Sequence, residues 1–431
     1  LGRGLRKNNN KEYVVIIDFI GNYQTNFLIP IALSGDNTYN KDNIRRYIMS
    51  GERIIPGTST IHFDEISKQE IFKSIDNAKF SDTKIIKESY FNLKKKLGKI
   101  PTLLDFDRYE AIDPLLIFNN KSLGSYHNFL VKYDKDYSIS LNSSQCNVLE
   151  FISQRFANGK RMNELLLIDI LVNYPCDDIF KLYQTLMINS NYTQSVTLLS
   201  INNLINQFTN NFLTGSSANR YYDAVLIQEV NGKYKISDSF KQMLTNDSFK
   251  HMVNELIAFG KNRYFKYFDQ AYDYTDFVLY SKYTYDDVCR LLNWEKSEVA
   301  LNIGGYKFDQ LTNTYPIFIN YHKDNDIADS IKYEDHFLSN DNFVGISKSK
   351  RDLNSDDVKH FIHSKENETD VHLFVRKNKD DKTSKEFYYL GKVNYRDSKQ
   401  MRMQSGESIV EFLWRLDVPV REDIYEYIIN N

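Results

Sequence analysis

The sequence predicts a mixed α and β, multidomain protein, and three observations carry that expectation. The chain has 431 residues, room for roughly two to four domains of ~100–200 residues each. Between about residues 83 and 300 apolar residues recur at helical spacing. Beyond 303 they gather in short aromatic and β-branched runs separated by polar turns, which is the strand pattern.

Composition narrows the class. Lys plus Arg number 55 and Asp plus Glu 57, a net charge of −2, with 42% apolar and 26% charged residues. These values exclude a disordered chain, a collagen-like fibre and a uniformly basic nucleic-acid coat. Only 17 glycines and 7 prolines occur, so helices should be plentiful and loops short. The 31 tyrosines and 28 phenylalanines can build cores and can also stack on bases. Cys146, Cys176 and Cys289 lie far apart without C-x-x-C spacing, which suits a reducing, cytoplasmic location and small buried hydrophobes. No metal site is expected. No apolar run approaches the ~18 residues that span a bilayer, and no signal peptide is visible, so no membrane partner is expected. The chain opens Leu1-Gly2-Arg3 and reads as the interior of a longer protein.

The elements follow in order. Leu1 to Arg6 reads as the first turn of a helix, with Arg3 and Arg6 on one face. Tyr13 to Ile17 reads as a buried strand and Gly21-Asn22 as a turn. Two guanidiniums so placed can clamp the charge on a transferring γ-phosphoryl group. Residues 37–80 are mixed, with a short strand at Ile61 to Phe63 and a helix from Gln69 to Ile75 preceded by Asp64 and Ser67. Ile86, Tyr90, Leu93 and Leu97 make a helix over 83–97, broken at Gly98 to Pro101. Thr102 with Asp105 is a capping box for the next helix. Further helices start at Asp113-Pro114 and Ser122, in an arrangement like helix-turn-helix. Lys87 to Pro101 holds five lysines against one glutamate, either a DNA-backbone arm or a solvated face.

Residues 144–215 continue as helices, with the apolar stretch Leu165 to Leu171 central. Asn231-Gly232 between strand-like runs marks a hairpin, and Ser237 caps a helix from Asp238 to Leu244. Helices plus a hairpin read as a winged-helix-like middle. An aromatic helical stretch fills 251–300. Strands are expected at Gly305–Phe308, Tyr315–Tyr321, Phe343–Ser347, Val371–Arg376, Phe387–Tyr395 and near Ile409–Leu416, together a small β-barrel-like or sandwich domain. The expected domains are 1–50, 51–145, 146–300 and 301–431.

Leu1-Gly2-Arg3-Gly4-Leu5-Arg6 resembles motif VI of superfamily 2 helicases, Gln-x-x-Gly-Arg-x-x-Arg, without the leading Gln. Asp18 to Tyr23 and Leu28 to Asp36 narrow the resemblance to bacterial helicases with a DUF3427 region, and among these to staphylococcal type IV restriction enzymes. Cys289 to Trp294, Asn302 to Lys307 and Phe374 to Lys377 carry it further. The resemblance implies that residues 1–50 end a second RecA-like helicase lobe, whose Arg3 and Arg6 reach an ATP γ-phosphate held by a lobe absent from this chain. It implies ATP and Mg²⁺ as cofactors of the complete parent. No G-x-x-x-x-G-K-[ST] phosphate loop occurs, so neither is expected to be bound by this chain alone. It further implies coupling and recognition of cytosine-modified double-stranded DNA. The expected partners are that DNA, a nuclease and helicase portion N-terminal to the chain, and a second copy in a homodimer.

Reading a cytosine methyl group needs a major-groove apolar contact or a flipped base in an aromatic pocket. Tyr306, Phe318, Asn320, Tyr321 and His322 supply such chemistry, or else the alternating aromatics of a β-barrel core. Lys348, Arg351, Arg376 and Lys377, with Lys350, would hold phosphates around it. Two other readings stand beside this one. One is a scaffold that dimerises the parent without touching bases. The other is a nuclease built on His363, Lys365 and Asp370, which fit H-x-K-x-x-x-x-D but enclose a hydrophilic stretch where a buried strand is wanted.

Overall fold

The computed structural model describes residues 26–50, 63–78, 83–174, 176, 178–189, 196–322, 335–378, 385–403 and 406–430. Arg3, Arg6 and the expected strand at Tyr13 to Ile17 lie outside these residues, as does most of the one at Ile61 to Phe63. The chain divides into two units, Leu1–Phe80 and Ser81–Asn431.

Helices α1 (Leu28–Ser34), α2 (Lys41–Ser50) and α3 (Glu65–Asn77) make up the described part of the first unit. The Asp64 carboxylate accepts from Ser67 N at 3.0 Å and so caps α3. Ile44, Ile48, Ile71 and Ile75 are buried between α2 and α3. Lys41 Nζ donates to the Asp76 carbonyl at 3.0 Å across that contact.

The second unit begins with a helical body. Its first helices are α4 (Thr83–Leu97), α5 (Leu103–Arg108), α6 (Leu115–Phe118) and α7 (Tyr126–Tyr133). Next come α8 (Ser143–Arg155), α9 (Met162–Asn173), α10 (Ile179–Asn189), α11 (Leu198–Phe208) and α12 (Gly215–Arg220). The hairpin β1 (Ile227–Val230) and β2 (Lys233–Ile236) precedes α13 (Asp238–Met243) and the long α14 (Asp247–Tyr267). Helix α4 has the bounds its periodicity predicts, and Thr102 and Asp105 form the capping box of α5. The hairpin turns at Asn231 and Gly232, with φ of 52° and 74°, the left-handed pair a tight hairpin demands. The helix expected at Ser122 instead starts at Tyr126, because Ser125 caps it by accepting from Asn128 N.

Helix α14 binds the body together by packing on α5, α8 and α9. Its approach to the loop before α9 depends on two glycines. A Cβ on Gly159 (φ +72°) would stand 2.5 Å from the Gly260 carbonyl, and one on Gly260 would stand 2.6 Å from Leu165 Cδ2. No other residue fits either place without displacing its neighbours.

The remainder is β-rich. In order come β3 (Lys282–Tyr283), α15 (Tyr285–Leu291), α16 (Ala300–Ile303), β4 (Thr314–His322), β5 (His336–Ser339), β6 (Asn342–Ile346) and α17 (Asp356–Ile362). Then follow β7 (Asp370–Asn378), β8 (Phe387–Arg402), β9 (Ser408–Leu416) and α18 (Glu422–Ile429). Seven strands form one sheet in the order β4-β7-β8-β9-β6-β5, with β3 added on β8. The sheet curls into a half-barrel. All neighbours are antiparallel except β4 and β7, which pair in parallel from Thr314↔Asp370 onward. The 16-residue β8 crosses the sheet, pairing β7 up to Lys392 and β9 from Val393 on. Register shifts at Leu373/Phe374 and Tyr395/Asp397 bend it. The strand expected at Gly305–Phe308 is reduced to a bridge between Tyr306 and Ile317. No described helix is long and apolar enough to cross a membrane.

Candidate functional site

Side chains alternate along β4, and this divides the expected site residues. Phe318 and Asn320 share one face of the sheet with Phe374 and Arg376 of β7, which lie beside them in register. Phe318 is buried, stacked on Phe374 at 5.1 Å between centroids and 4.4 Å from the Tyr285 ring. Arg376 Nε donates to Asn320 Oδ1 at 2.5 Å, and its guanidinium lies 4.5 Å over the Phe387 ring. Tyr285 is half-buried, and burial pushes its phenol pKa up while the nearby Arg376 charge opposes that. An amide, a guanidinium, a phenol and two aromatic planes therefore meet at this end of β4 and β7.

The other expected residues lie elsewhere. Tyr306 is buried against Tyr315 and Phe361, and its hydroxyl donates to Asp357 Oδ2 at 3.1 Å. Arg351 Nε donates to the same oxygen at 2.7 Å, while Lys348 Nζ lies 4.6 Å over the Tyr306 ring. Burial lowers the Lys348 pKa. Tyr321 sits on the face opposite Phe318, where its hydroxyl accepts from Phe337 N at 3.5 Å. Lys377 is buried, donates to the Asn430 carbonyl and lies 4.8 Å over the Tyr427 ring. His322 ends β4 opposite Asn378, and its side chain lies outside the described residues. Three local clusters thus replace the single rim pictured from the sequence.

His363 caps the C-terminus of α17 and contacts exposed Glu366 at 2.8 Å, while Asp370 pairs with Lys392 at 2.9 Å. No group of metal-ligating residues occurs among the described residues.

A second constellation escaped the sequence reading. Arg161 and Glu164 are fully buried at the start of α9, and Arg290 is 1% exposed in α15. Arg161 meets both Glu164 carboxylate oxygens through Nε at 3.0 Å and donates to Asn203 Oδ1 and Asn293 Oδ1, each at 2.8 Å. Arg290 donates to Glu164 at 3.1 Å and to Asp287 at 3.2 Å. Lys160 Nζ donates to Asp287 at 2.8 Å and to Glu386 at 2.9 Å. Gln207 adds a further donor to Glu164 at 3.1 Å. Burial alone would push the Glu164 pKa up, but Arg161 and Arg290 outweigh it and hold the group at about 2. The same contest, won by Lys160 and Arg290, holds Asp287 well below the usual carboxylate range. Glu164 and Asp287 are therefore carboxylates at neutral pH, each facing two cations. The network joins α9 and α11 of the body to α15 and the start of β8, a seam of charge inside the molecule. Its sequence signals were opposite charges three apart beside apolar runs, Arg161/Glu164 before Leu165 to Ile168 and Asp287/Arg290 before Leu291-Leu292.

The seam joins two segments that comparison with protein families also separates. Residues 86–267 match DUF8090, a domain of unknown function. Residues 277–428 match DUF3427, likewise a domain of unknown function. The chain carries a DUF3427 domain. Lys160, Arg161 and Glu164 belong to the DUF8090 segment, whereas Asp287, Arg290 and Glu386 belong to the DUF3427 domain. The Asn320–Arg376 cluster lies wholly in DUF3427. No curated protein matches the chain. A solved structure of SUVH6 from Arabidopsis thaliana, in complex with SAM, is 12% identical with a TM-score of 0.27. The match covers 65% of this chain and 41% of that one, and the likeness is too slight to carry a fold or a function.

Proposed function

We propose that this chain is the coupling and DNA-recognition part of an ATP-dependent helicase and restriction endonuclease that acts on DNA bearing 5-methyl- or 5-hydroxymethylcytosine. The cluster at the end of β4 and β7 is the observation that carries this reading. A base displaced from a duplex needs aromatic surface to replace its former stacking and polar groups for its Watson–Crick edge. The half-buried Tyr285 ring, backed by buried Phe387, offers the first, and Asn320 and Arg376 the second. The ionic seam supports the coupling role, since a rigid joint between helical body and sheet lets a displacement of one carry the other. Helicase association and restriction come from the resemblance of Leu1 to Arg6 and of the DUF3427 segments. In that resemblance ATP and Mg²⁺ belong to the parent motor, with Arg3 and Arg6 contributing to its γ-phosphate site.

The test is a gel shift of the 431-residue chain on matched modified and plain duplexes over a range of salt. Tighter binding to the modified duplex is expected, and Arg376→Ala and Asn320→Ala should each shrink the difference between duplexes. Equal affinity at every salt concentration would remove the reading and leave a scaffold that contacts no base.

A further inference from the structure

The first helices of the body sort their charges. Most of their carboxylates turn inward or are spent on partners, and Glu88 and Glu110 are the exposed exceptions. Asp105 caps α5, Asp107 pairs with Lys266 at 2.6 Å, Asp113 pairs with Arg263 at 2.9 Å, and buried Asp134 accepts from Tyr90 and, at 2.7 Å, from Lys94. Lys94 also reaches Asp136 at 2.6 Å. The cations are left outside. Lys87, Lys95, Lys96, Lys99, Lys132 and Lys135 form no ion pair among the described residues. Three of them rest instead on ring faces. Lys87 and Lys132 lie 4.9 and 5.4 Å from the Tyr133 centroid, and Lys96 lies 4.8 Å from that of Tyr109.

The platform is rigid. Tyr90 is fully buried and packs edge-on against Phe129 at 4.9 Å. With the Asp134 hydrogen bonds, that packing fixes α4 to α7. Helix α4 has 15 residues, about 22 Å at ~1.5 Å per residue, a length that passes several phosphates of a duplex strand.

We propose that the α4–α7 face is a second nucleic-acid surface, one that holds the phosphate backbone of double-stranded DNA without regard to sequence. Its cations are lysines, compact point charges without the planar fork that reads base edges. Tyr109 and Tyr133 each already carry a lysine on the ring, which disfavours stacking of single-stranded bases and favours a duplex. The surface rests on the DNA-binding reading above but not on modified-base recognition. It lies in the DUF8090 segment, whereas the Asn320–Arg376 cluster belongs to DUF3427.

The test measures binding of the 431-residue chain to plain duplex DNA against salt. Two variants at exposed positions, Lys95→Glu/Lys96→Glu/Lys99→Glu and Lys132→Glu/Lys135→Glu, are compared with a control reversal, Lys241→Glu/Lys250→Glu/Lys359→Glu. Circular dichroism confirms that each is folded. Both test variants should weaken binding at least tenfold. They should also flatten the plot of log affinity against log salt by about 0.9 for each phosphate no longer neutralised, while the control moves neither. Unchanged slopes, or an equal weakening in the control, would overturn the proposal. So would retained duplex binding alongside abolished binding to phosphatidylserine vesicles alone. The ratio of modified to plain affinity stays a separate readout. If that ratio is one while the lysine variants bind plain duplex weakly, base reading fails and this surface stands.

Discussion

The seam between helical body and sheet is held by charge, whereas the interior of the sheet is held by rings, though both exclude water almost completely. Against the sheet, Phe361 of α17 stacks on Tyr315 at 3.9 Å and meets Phe412 and Trp414 edge-on at 5.2 and 5.0 Å. Such ring packing is weakly directional and spread over many partners, so removing one ring leaves nothing unpaired. In the seam each group has named partners, and removing one strands another charge in a medium that cannot solvate it. The ring core therefore holds by the amount of surface it buries, and the seam selects one relative placement of body and sheet.

That contrast can be broken or sharpened by experiment. Arg161→Ala leaves buried Glu164 with Arg290 as its one remaining cation and should cost about 3–5 kcal/mol by urea unfolding. Adding Glu164→Ala should cost much less than the sum of the singles, by more than about 1 kcal/mol. Additive costs would mean the seam is not a coupled network. Phe361→Ala should cost about 3 kcal/mol through reduced burial and a cavity, and Phe361→Leu about 1 kcal/mol. A leucine as damaging as alanine would show that the ring core is as directional as the seam.

Acid should separate the two regions. Burial lowers the His372 pKa from 6.5 to about 4, with its Nδ1 3.0 Å from the Tyr389 hydroxyl. The unfolded state binds the proton more readily, so stability falls as the pH drops from about 6.5 toward 4, by about 3 kcal/mol in all. Glu164, held at about 2 against 4.5, contributes fully above 4.5 and gives up its share only as the pH falls from there toward 2. Stability measured from pH 7 downward should therefore fall first through the sheet, and His372→Gln should erase that earlier step alone. The smallest effect is expected at Lys350, 3.7 Å from Glu407 with its side chain 76% exposed. Lys350→Ala should change stability by less than about 0.5 kcal/mol, and a larger drop would make charge as valuable in water as in the seam.

Part of this architecture was legible because it is local. Ile86, Tyr90 and Leu93 fall on one helical face whatever surrounds them, and all three are buried. The Thr102/Asp105 box and the Asn231-Gly232 turn bind their own neighbours. The Asn320 and Arg376 residue types were visible as well, since an amide and a guanidinium near aromatic runs can be read off the chain. Their adjacency was not, because it follows from parallel pairing of β4 and β7 across 56 positions of sequence. Tyr285 and Phe387 were missed for the same reason.

By itself the sequence determined the helices with strong periodicity, their caps, the hairpin and five of the runs that became strands, all set by forces between residues a few positions apart. Only the tertiary structure decided the strand order, the crossing of the sheet by β8, and the division of the expected site residues into three clusters. It alone also decided that Lys160, Arg161, Glu164, Asp287 and Arg290 lie inside. An ionised side chain is buried only where a partner is waiting, and those partners lie up to 226 positions away along the chain. Their meeting is a property of the folded molecule that no local window contains.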